Sequence, residues 1–552
     1  VQRNRLHLVA PAAIRRHPSP PQSIRMFTSA MKFRTSFFVV ILALPPVLTT
    51  FAADKPNFVI INIDDLGYAD IGPYGSKNKT PHLDKMASEG RKLTSHYAAP
   101  VCSPSRASLL TGCYPKRALP IPHVLFPSAA VGLNPDEITI AELLKDVGYK
   151  TACVGKWHLG DQPEFLPTRQ GFDQYFGIPY SNDMGTSEDG SKTSFGQPVR
   201  QPKANPKASP NPKASPNPKA SPDAKASPDA KVNPKSKGGQ SETGLTGNAQ
   251  PPLPLLENET VIERLRGPEQ ETITKRYTEK AVQFIKDNQS EPFFLYLPHN
   301  AVHFPLYPSE SFRGKSPNGL IGDWAEEVDW SVGQVLNTLR ELKLDDRTLV
   351  IFTSDNGGAL NFGSNNDPLR GAKGQTFEGG IRTCTIAWWP GKIPAGTSTR
   401  AITSMMDFLP TFATLAGAKL PSERKIDGVD VWSALSGDEV KDSNLGPRNE
   451  FFYFRGFAMD AIRKGPWKLR FENDELYHLD DDISESNNVS AMHPKIVAEL
   501  RKAAEATDSD LGFKTLGPGC RPLGRVSDPQ PLIDRDGNVR EGMAVAGKAV
   551  LK

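Results

Sequence analysis

The sequence predicts an α/β protein: a large, mostly parallel mixed sheet with helices on both faces, followed by a smaller α+β subdomain with an antiparallel sheet. Three observations carry this expectation. Short, nearly continuous apolar runs alternate with segments of helical periodicity. Two of those runs end in paired acidic or amide residues, at the strand ends where open α/β sheets bind ligands. After Ala416 the text changes to short strand-like runs in close succession.

Residues 58–63 are apolar except for Asn62, the pattern of a strand covered on both faces. Residues 80–88 read as a helix capped by Thr80, and residues 138–147 as another, followed by a strand at 151–154. A helix at 271–288 leads into a strand at 293–297, and a long helix at 323–342 precedes the strand 348–353. Beyond Ala416, residues 451–454, 459–463, 467–471 and 475–479 read as antiparallel strands, with a helix at 494–506.

Met31-Lys32-Phe33-Arg34, an apolar stretch at 37–44, and the small residues Thr50 and Ala52 form the three regions of a signal peptide over residues 31–52. Export to the periplasm, cell surface or medium is therefore expected. Residues 1–30 precede it as an extension with no assignable role. The main domain spans 53–420, interrupted at 197–254 by an insertion with a six-residue Pro-Lys-Ala-Ser-Pro repeat. Such a repeat has almost nothing to bury and reads as a disordered spacer. Polyanion binding is the alternative role for it. A subdomain spans 421–510, and residues 511–552 carry no pattern that assigns them.

The 552 residues carry 66 Lys+Arg against 62 Asp+Glu, a net +4. That average hides three objects. Residues 1–34 hold seven basic groups and no acid, and residues 197–239 hold nine basic groups against two acids, so each contributes +7. The rest carries −10, which speaks against nucleic acid as a partner. No apolar run approaches the ~18–20 residues of a membrane span. Five cysteines without paired spacing argue against a disulfide scaffold and against a zinc module.

The first strand runs into Asp64-Asp65 and a later one into Asp355-Asn356-Gly357-Gly358. Two parallel strands would deliver three carboxylates and one amide oxygen to one sheet edge, a donor set that suits Ca²⁺ or Mg²⁺. Either pair alone also serves as an ordinary turn. Cys102-Ser103-Pro104-Ser105-Arg106 opens a helical stretch, with Pro104 suited to its first turn and Cys102 placed just before the amino end. That end favours a negative reacting group. A small buried cysteine in a turn, or a thiolate nucleophile activated by Arg106 and the helix end, are the other readings.

This pentapeptide resembles the Cys-x-Pro-x-Arg signature of type I sulfatases, in which the cysteine is oxidised to formylglycine. Further segments agree in family order. Asn62 to Asp70 resembles the first metal strand, Gly155-Lys156-Trp157-His158-Leu159-Gly160 the second hallmark, and Asn300-Ala301-Val302-His303-Phe304-Pro305 the segment with a sulfate-contacting histidine. Thr353 to Gly358 resembles the second metal strand, and Leu369-Arg370-Gly371-Ala372-Lys373-Gly374 the lysine loop. Ile178-Pro179-Tyr180-Ser181-Asn182-Asp183 is similar to a segment of the arylsulfatase A-like branch. The resemblance implies the alkaline phosphatase superfamily fold over about 56–494. One position departs: Cys113 follows Leu110-Thr111-Gly112, where the family commonly has arginine. It is a wrong disulfide partner for an unmodified Cys102.

The resemblance implies that Asp64, Asp65, Asp355, Asn356 and the modified Cys102 bind Ca²⁺, or Mg²⁺. Lys156, His303 and Lys373 would hold sulfate oxygens, with His303 or Lys373 protonating the leaving oxygen. Arg106 and His158 would orient the formylglycine hydrate, with His158 as base. Ser181 would contact sulfate, and Asn182 and Asp183 the leaving group. His299 is a near decoy for His303. The implied partners are a sulfated small molecule or glycan and a formylglycine-generating enzyme. Two alternatives stand beside sulfate ester hydrolysis: a phosphate or phosphonate monoester hydrolase of the same superfamily, and a non-catalytic binder of sulfated glycans.

Overall fold

A computed structural model of the chain describes residues 55–198, 241–438, 446–546 and 551. The expected signal peptide and the Pro-Lys-Ala-Ser repeat lie outside the described residues. An eleven-stranded sheet forms the centre. Its strands in chain order are β1 Asn57–Ile63, β2 Arg91–Tyr97, β3 Lys150–Val154, β4 Gln174–Gly177, β5 Leu253–Glu257 and β6 Thr260–Leu265, then β7 Phe293–Pro298, β8 Thr348–Ser354, β9 Arg382–Trp388, β10 Thr397–Thr399 and β11 Thr403–Ser404. They lie in the order β10-β2-β9-β8-β1-β7-β3-β4-β5-β6, with β11 also on β2. The central run β8-β1-β7-β3-β4 is parallel, while β9 and the β5–β6 hairpin are antiparallel to their neighbours. This is the mixed, mostly parallel sheet that the alternation predicts.

β1 is buried along its whole length because successive side chains feed two separate cores. Val59, Ile61 and Ile63 pack with Trp324, Val328 and Val332 of the long helix Gly319–Glu341. Phe58 and Ile60 join Tyr149, Ile351 and Phe412 on the other face.

Three local expectations are corrected. The helix Pro81–Glu89 has Thr80 at its cap position, but the Thr80 hydroxyl accepts from Gly72 N at 2.8 Å instead. The orphan donors of that helix go to Asp329, which accepts from His82 N at 3.2 Å and Leu83 N at 2.7 Å. A carboxylate from another helix has replaced the local cap. Cys102 is the first residue of its helix, Cys102–Thr111, not the residue before it. The insertion ends earlier than residue 254. Phe126 N donates to Thr243 O at 2.7 Å, and Leu253, Leu255 and Leu256 of β5 are buried. Pro254 fits because β5 meets β4 only at Leu256 and Glu257, so no partner on that side needs its missing N–H.

A four-stranded antiparallel sheet follows, with β12 Glu450–Arg455, β13 Ala458–Lys464, β14 Trp467–Arg470 and β15 Glu475–His478 in that order. The helix Pro494–Leu511 covers it with Leu500, Ala504 and Leu511. The tail returns to the main sheet. Gly524–Arg525 pairs with Val131–Gly132, and Leu532 and Met543 enter the second core.

A buried charge network joins the small sheet to the lysine loop's neighbour Glu378. Lys468 Nζ lies 2.9 Å from Glu378 Oε1 and 2.8 Å from Glu485 Oε1, with all three side chains fully buried. Substituting Lys468→Met takes the cation from Glu485 and leaves Glu378 with Arg382 alone, at 3.2 Å, and is expected to destabilise the fold by about 3–5 kcal/mol. Denaturant unfolding of the variant beside the wild type measures this directly.

Candidate active site

β1 and β8 run in register, with Ile63 beside Ser354, so Asp64-Asp65 and Asp355-Asn356 leave the sheet side by side. Asp355 N donates to Ile63 O at 2.9 Å, extending the pairing by one residue. Asp65 then turns with φ 60°, a left-handed conformation that aspartate tolerates better than most residues. On the other side of β1, Asp64 exchanges backbone hydrogen bonds with Ala301 O (2.9 Å) and Val302 N (2.8 Å). This pairing delivers His303, whose Nε2 lies 3.6 Å from Asp65 Oδ2. His299 is spent elsewhere: it is buried against Ser331 Oγ at 3.1 Å.

Ser105 Oγ holds the approach to the cysteine helix, accepting from Ala99 N at 2.8 Å and donating to Ala99 O at 3.0 Å. The ligand atoms of Asp64, Asp65, Cys102 and His303 all lie within 4.8 Å of one another. Four sequence-predicted residues from three chain segments thus converge. Lys156 Nζ reaches Asp64 Oδ2 and Ser181 Oγ (3.1 Å), and Lys373 Nζ reaches Asp65 Oδ2 at 2.8 Å.

Arg106 takes a different place from the one expected. Its Nε and Nη2 donate to Asp355 Oδ2 at 3.0 and 2.8 Å, and its Nη1 donates to Lys156 O at 2.6 Å. The fork fixes a carboxylate and the Lys156 backbone rather than Cys102. Asn182 likewise spends its amide nitrogen on His303 O (3.3 Å), Pro305 O (3.1 Å) and Gln270 Oε1 (3.4 Å). It braces the histidine loop. Among the described residues no hydrogen bond or ion pair joins Asp183 to the cluster; its carbonyl accepts from Lys192.

Burial pushes the Cys102 thiol up to about 12, against the pull of Lys156 and Lys373. The activated-thiolate reading needs the opposite, a depressed pKa. The expected mispairing with Cys113 also fails in the folded chain. Cys102 opens a ten-residue helix and Cys113 lies two residues past its end, roughly 15 Å away at ~1.5 Å per residue and outside disulfide reach. Cys113 instead accepts from Arg521 Nη2 at 3.1 Å.

Asp64 and Asp355 titrate in opposite directions. Burial and the Asp64 charge raise Asp355 to about 7. Burial also acts on Asp64, but Lys156, His303, Arg106 and Lys373 outweigh it and hold Asp64 far below the carboxylate range. Two carboxylates that face each other in one buried site split in this way. Burial, then Lys156 and Arg106, hold His158 well below 6.5. Its Nε2 lies 2.9 Å from Leu125 O, so the proton sits on Nε2 and the unpartnered Nδ1 carries the lone pair.

The donor set fits a hard divalent cation. Asp64 Oδ1 and Asn356 Oδ1 are buried oxygens without a hydrogen-bond partner. Asp64, Asp65 and Asp355 carry three negative charges against three positive ones on Arg106, Lys156 and Lys373. A bound divalent ion would leave the cluster at a net of about +2, suited to an anionic ester. Sequence reasoning missed the Leu125 carbonyl, Gln270 and the Ala301-Val302 pairing. Backbone groups and a buried glutamine leave no compositional trace.

The family model for sulfatases matches residues 56–418. The chain belongs to the sulfatase family. This sulfatase is 37% identical over 452 residues to steryl-sulfatase of Mus musculus, covering 77% of this chain and 71% of that protein. It is 36% identical over 467 residues to arylsulfatase A of Bos taurus, covering 81% and 82%. The crystal structure of Ps i-CgsB in complex with k-i-k-neocarrahexaose superposes with a TM-score of 0.65 at 29% identity, over 84% of this chain and 95% of that one. The sulfatase is thus arylsulfatase A-like, a sulfuric ester hydrolase with the alkaline phosphatase-like fold.

Proposed function

We propose that this sulfatase is an exported, calcium-dependent enzyme that hydrolyses a sulfate ester of a carbohydrate through formylglycine made from Cys102. Aryl sulfates would serve as surrogates. The observation that carries the reading is the convergence of Cys102 with Asp64, Asp65 and His303 within 4.8 Å, on a buried helix end. The saccharide preference draws on the neocarrahexaose bound by the structural relative. Export rests on residues 31–52, and maturation requires a formylglycine-generating enzyme as partner.

Asp64, Asp65, Asp355, Asn356 and the modified residue 102 would hold Ca²⁺, or Mg²⁺, which supplies Lewis-acid polarisation of the sulfate. Formylglycine supplies a hydrated aldehyde, one hydroxyl to attack sulfur and a second whose deprotonation expels sulfate. The chain's own groups do the rest. Lys156, Lys373 and Ser181 bind sulfate oxygens, stabilising charge that builds during transfer. His303 or Lys373 gives a proton to the leaving oxygen. His158 Nδ1 takes the proton at the elimination step, its tautomer and orientation set by the Nε2–H···Leu125 bond. Arg106 holds Asp355, and Asn182 holds the His303 loop. Asp183 would face the leaving group from the adjacent turn.

Because His158 is held below 6.5, the acid limb due to this base is expected below pH 6.5. Substituting His158→Asn should lower kcat by about 10²–10⁴. A variant that keeps kcat within a few-fold of the wild type would contradict the assignment.

Hydrolysis of 4-nitrophenyl sulfate and 4-nitrophenyl phosphate tests the reaction class. Faster sulfate release supports the reading; a higher kcat/KM on phosphate would replace it with phosphomonoester hydrolysis.

A further inference from the structure

Beside the cysteine helix lies a cavity of about 330 Å³, within the range of small-molecule sites. Val101 and Pro104, which flank Cys102, line it, as does Gly374, next to Lys373. The floor is tied together by Gly374 N donating to Pro100 O at 2.8 Å. Phe454 and Arg455 of β12 close the far side. The cavity therefore lies against the neighbours of Cys102 and of Lys373.

Its lining contains Lys116, His123 and Arg455 and no aspartate or glutamate. Arg455 is paired with Asp460 Oδ2 at 2.9 Å. Lys116 is not so provided for. It is 1% exposed, its Nζ donates to Gly512 O at 2.5 Å and lies 5.5 Å from the Phe454 ring centroid. Among the described residues no carboxylate lies within ion-pair distance of it. Lys156 and Arg106, equally buried, both have one. Burying an ammonium group against a carbonyl and a ring, with Asp508 acting only from beyond ion-pair distance, is costly, and an anion entering the cavity would offset that cost. Among the described residues no hydrogen bond or ion pair joins Lys116 to the Cys102 cluster, and Lys116 lines this cavity.

We propose that this cavity receives the alcohol portion of the ester, and that Lys116, with His123 at its exposed edge, selects alcohols bearing a second anionic group, a sulfate or a carboxylate. The proposal rests on the sulfatase reading of the Cys102 site and names the substrate class of that site: polysulfated or uronate-containing saccharides rather than neutral alcohols or sterols. An anion held by a charge-assisted hydrogen bond contributes about tenfold or more in kcat/KM.

The test uses the full chain with Cys102 verified as converted, on three probes: 4-nitrophenyl sulfate, 4-nitrocatechol disulfate and 2-carboxy-4-nitrophenyl sulfate. Leaving-group acidity changes intrinsic reactivity, so the deciding quantity is how each ratio to the plain ester changes in variants. Lys116→Met is expected to lower the ratio for the disulfate, the carboxylate or both by about tenfold or more. Which ratio falls distinguishes sulfate from carboxylate. His123→Gln, at an exposed position that folding does not depend on, should lower the same ratio by a smaller factor. Ratios unchanged in His123→Gln and in folded Lys116→Met overturn the proposal. No turnover of any probe by converted enzyme defeats the sulfatase reading itself, and this inference with it.

Discussion

Replacing Cys102 with serine or alanine should reduce multiple turnover below about 10⁻⁴ of the wild type. Serine retains a hydroxyl at the first residue of the buried helix, where the dipole still favours a negative oxygen. It lacks the second hydroxyl that lets the sulfated intermediate break down. Cys102→Ser should therefore release at most one equivalent of alcohol per chain and then stop, while Cys102→Ala should release none. A rapid-mixing assay with 4-nitrophenyl sulfate separates the two. An unmodified thiol is a poor substitute, because burial raises its pKa and disfavours the thiolate. Sustained turnover by Cys102→Ala above about 1% of wild type would remove residue 102 from the chemistry.

The second large effect concerns the cation. Removal of divalent ions by a chelator is expected to cost about 10³-fold or more in activity, with Ca²⁺ restoring it. At a free ion concentration of 100 Kd, the lost binding is worth about 2.7 kcal/mol of stability, so the melting temperature should fall and recover alongside activity. Asp355→Ala should behave differently. Asp355 is the node that pins the fully buried Arg106 through two hydrogen bonds. Without it the buried guanidinium keeps only the longer contact to Asp64 at 3.7 Å, at a cost of about 3–5 kcal/mol, and the ion loses a ligand as well. Added Ca²⁺ should rescue the chelated wild type and not the variant. Full activity after exhaustive chelation would contradict the assignment of this cluster.

The parts of the site that were legible in the sequence are those where one residue type marks both structure and chemistry. A buried apolar run ending in Asp64-Asp65 or Asp355-Asn356 has few other uses, and parallel pairing brings the two ends together without further information. The roles of Arg106 and Asn182 were less legible. Arginine beside a reactive cysteine reads equally as its partner or as a strut, and only the placement of Asp355 decides between them. The β5–β6 hairpin was masked by Pro251, Pro252 and Pro254, residues that signal a loop unless a strand's partner stops short of them. The tail showed no periodicity because it contributes single anchors, Leu532 and Met543, to a core built by other segments. The helix 81–89 is capped from another helix, which no local pattern records.

All of these expectations meet at the chemical identity of residue 102. The direct measurement is the mass of a peptide containing that residue, prepared from protein made in its native host. Conversion of the thiol-bearing carbon to an aldehyde lowers the mass by about 18 Da, and the account predicts that shift in most of the protein. A peptide carrying only unmodified Cys102 would contradict the proposed nucleophile.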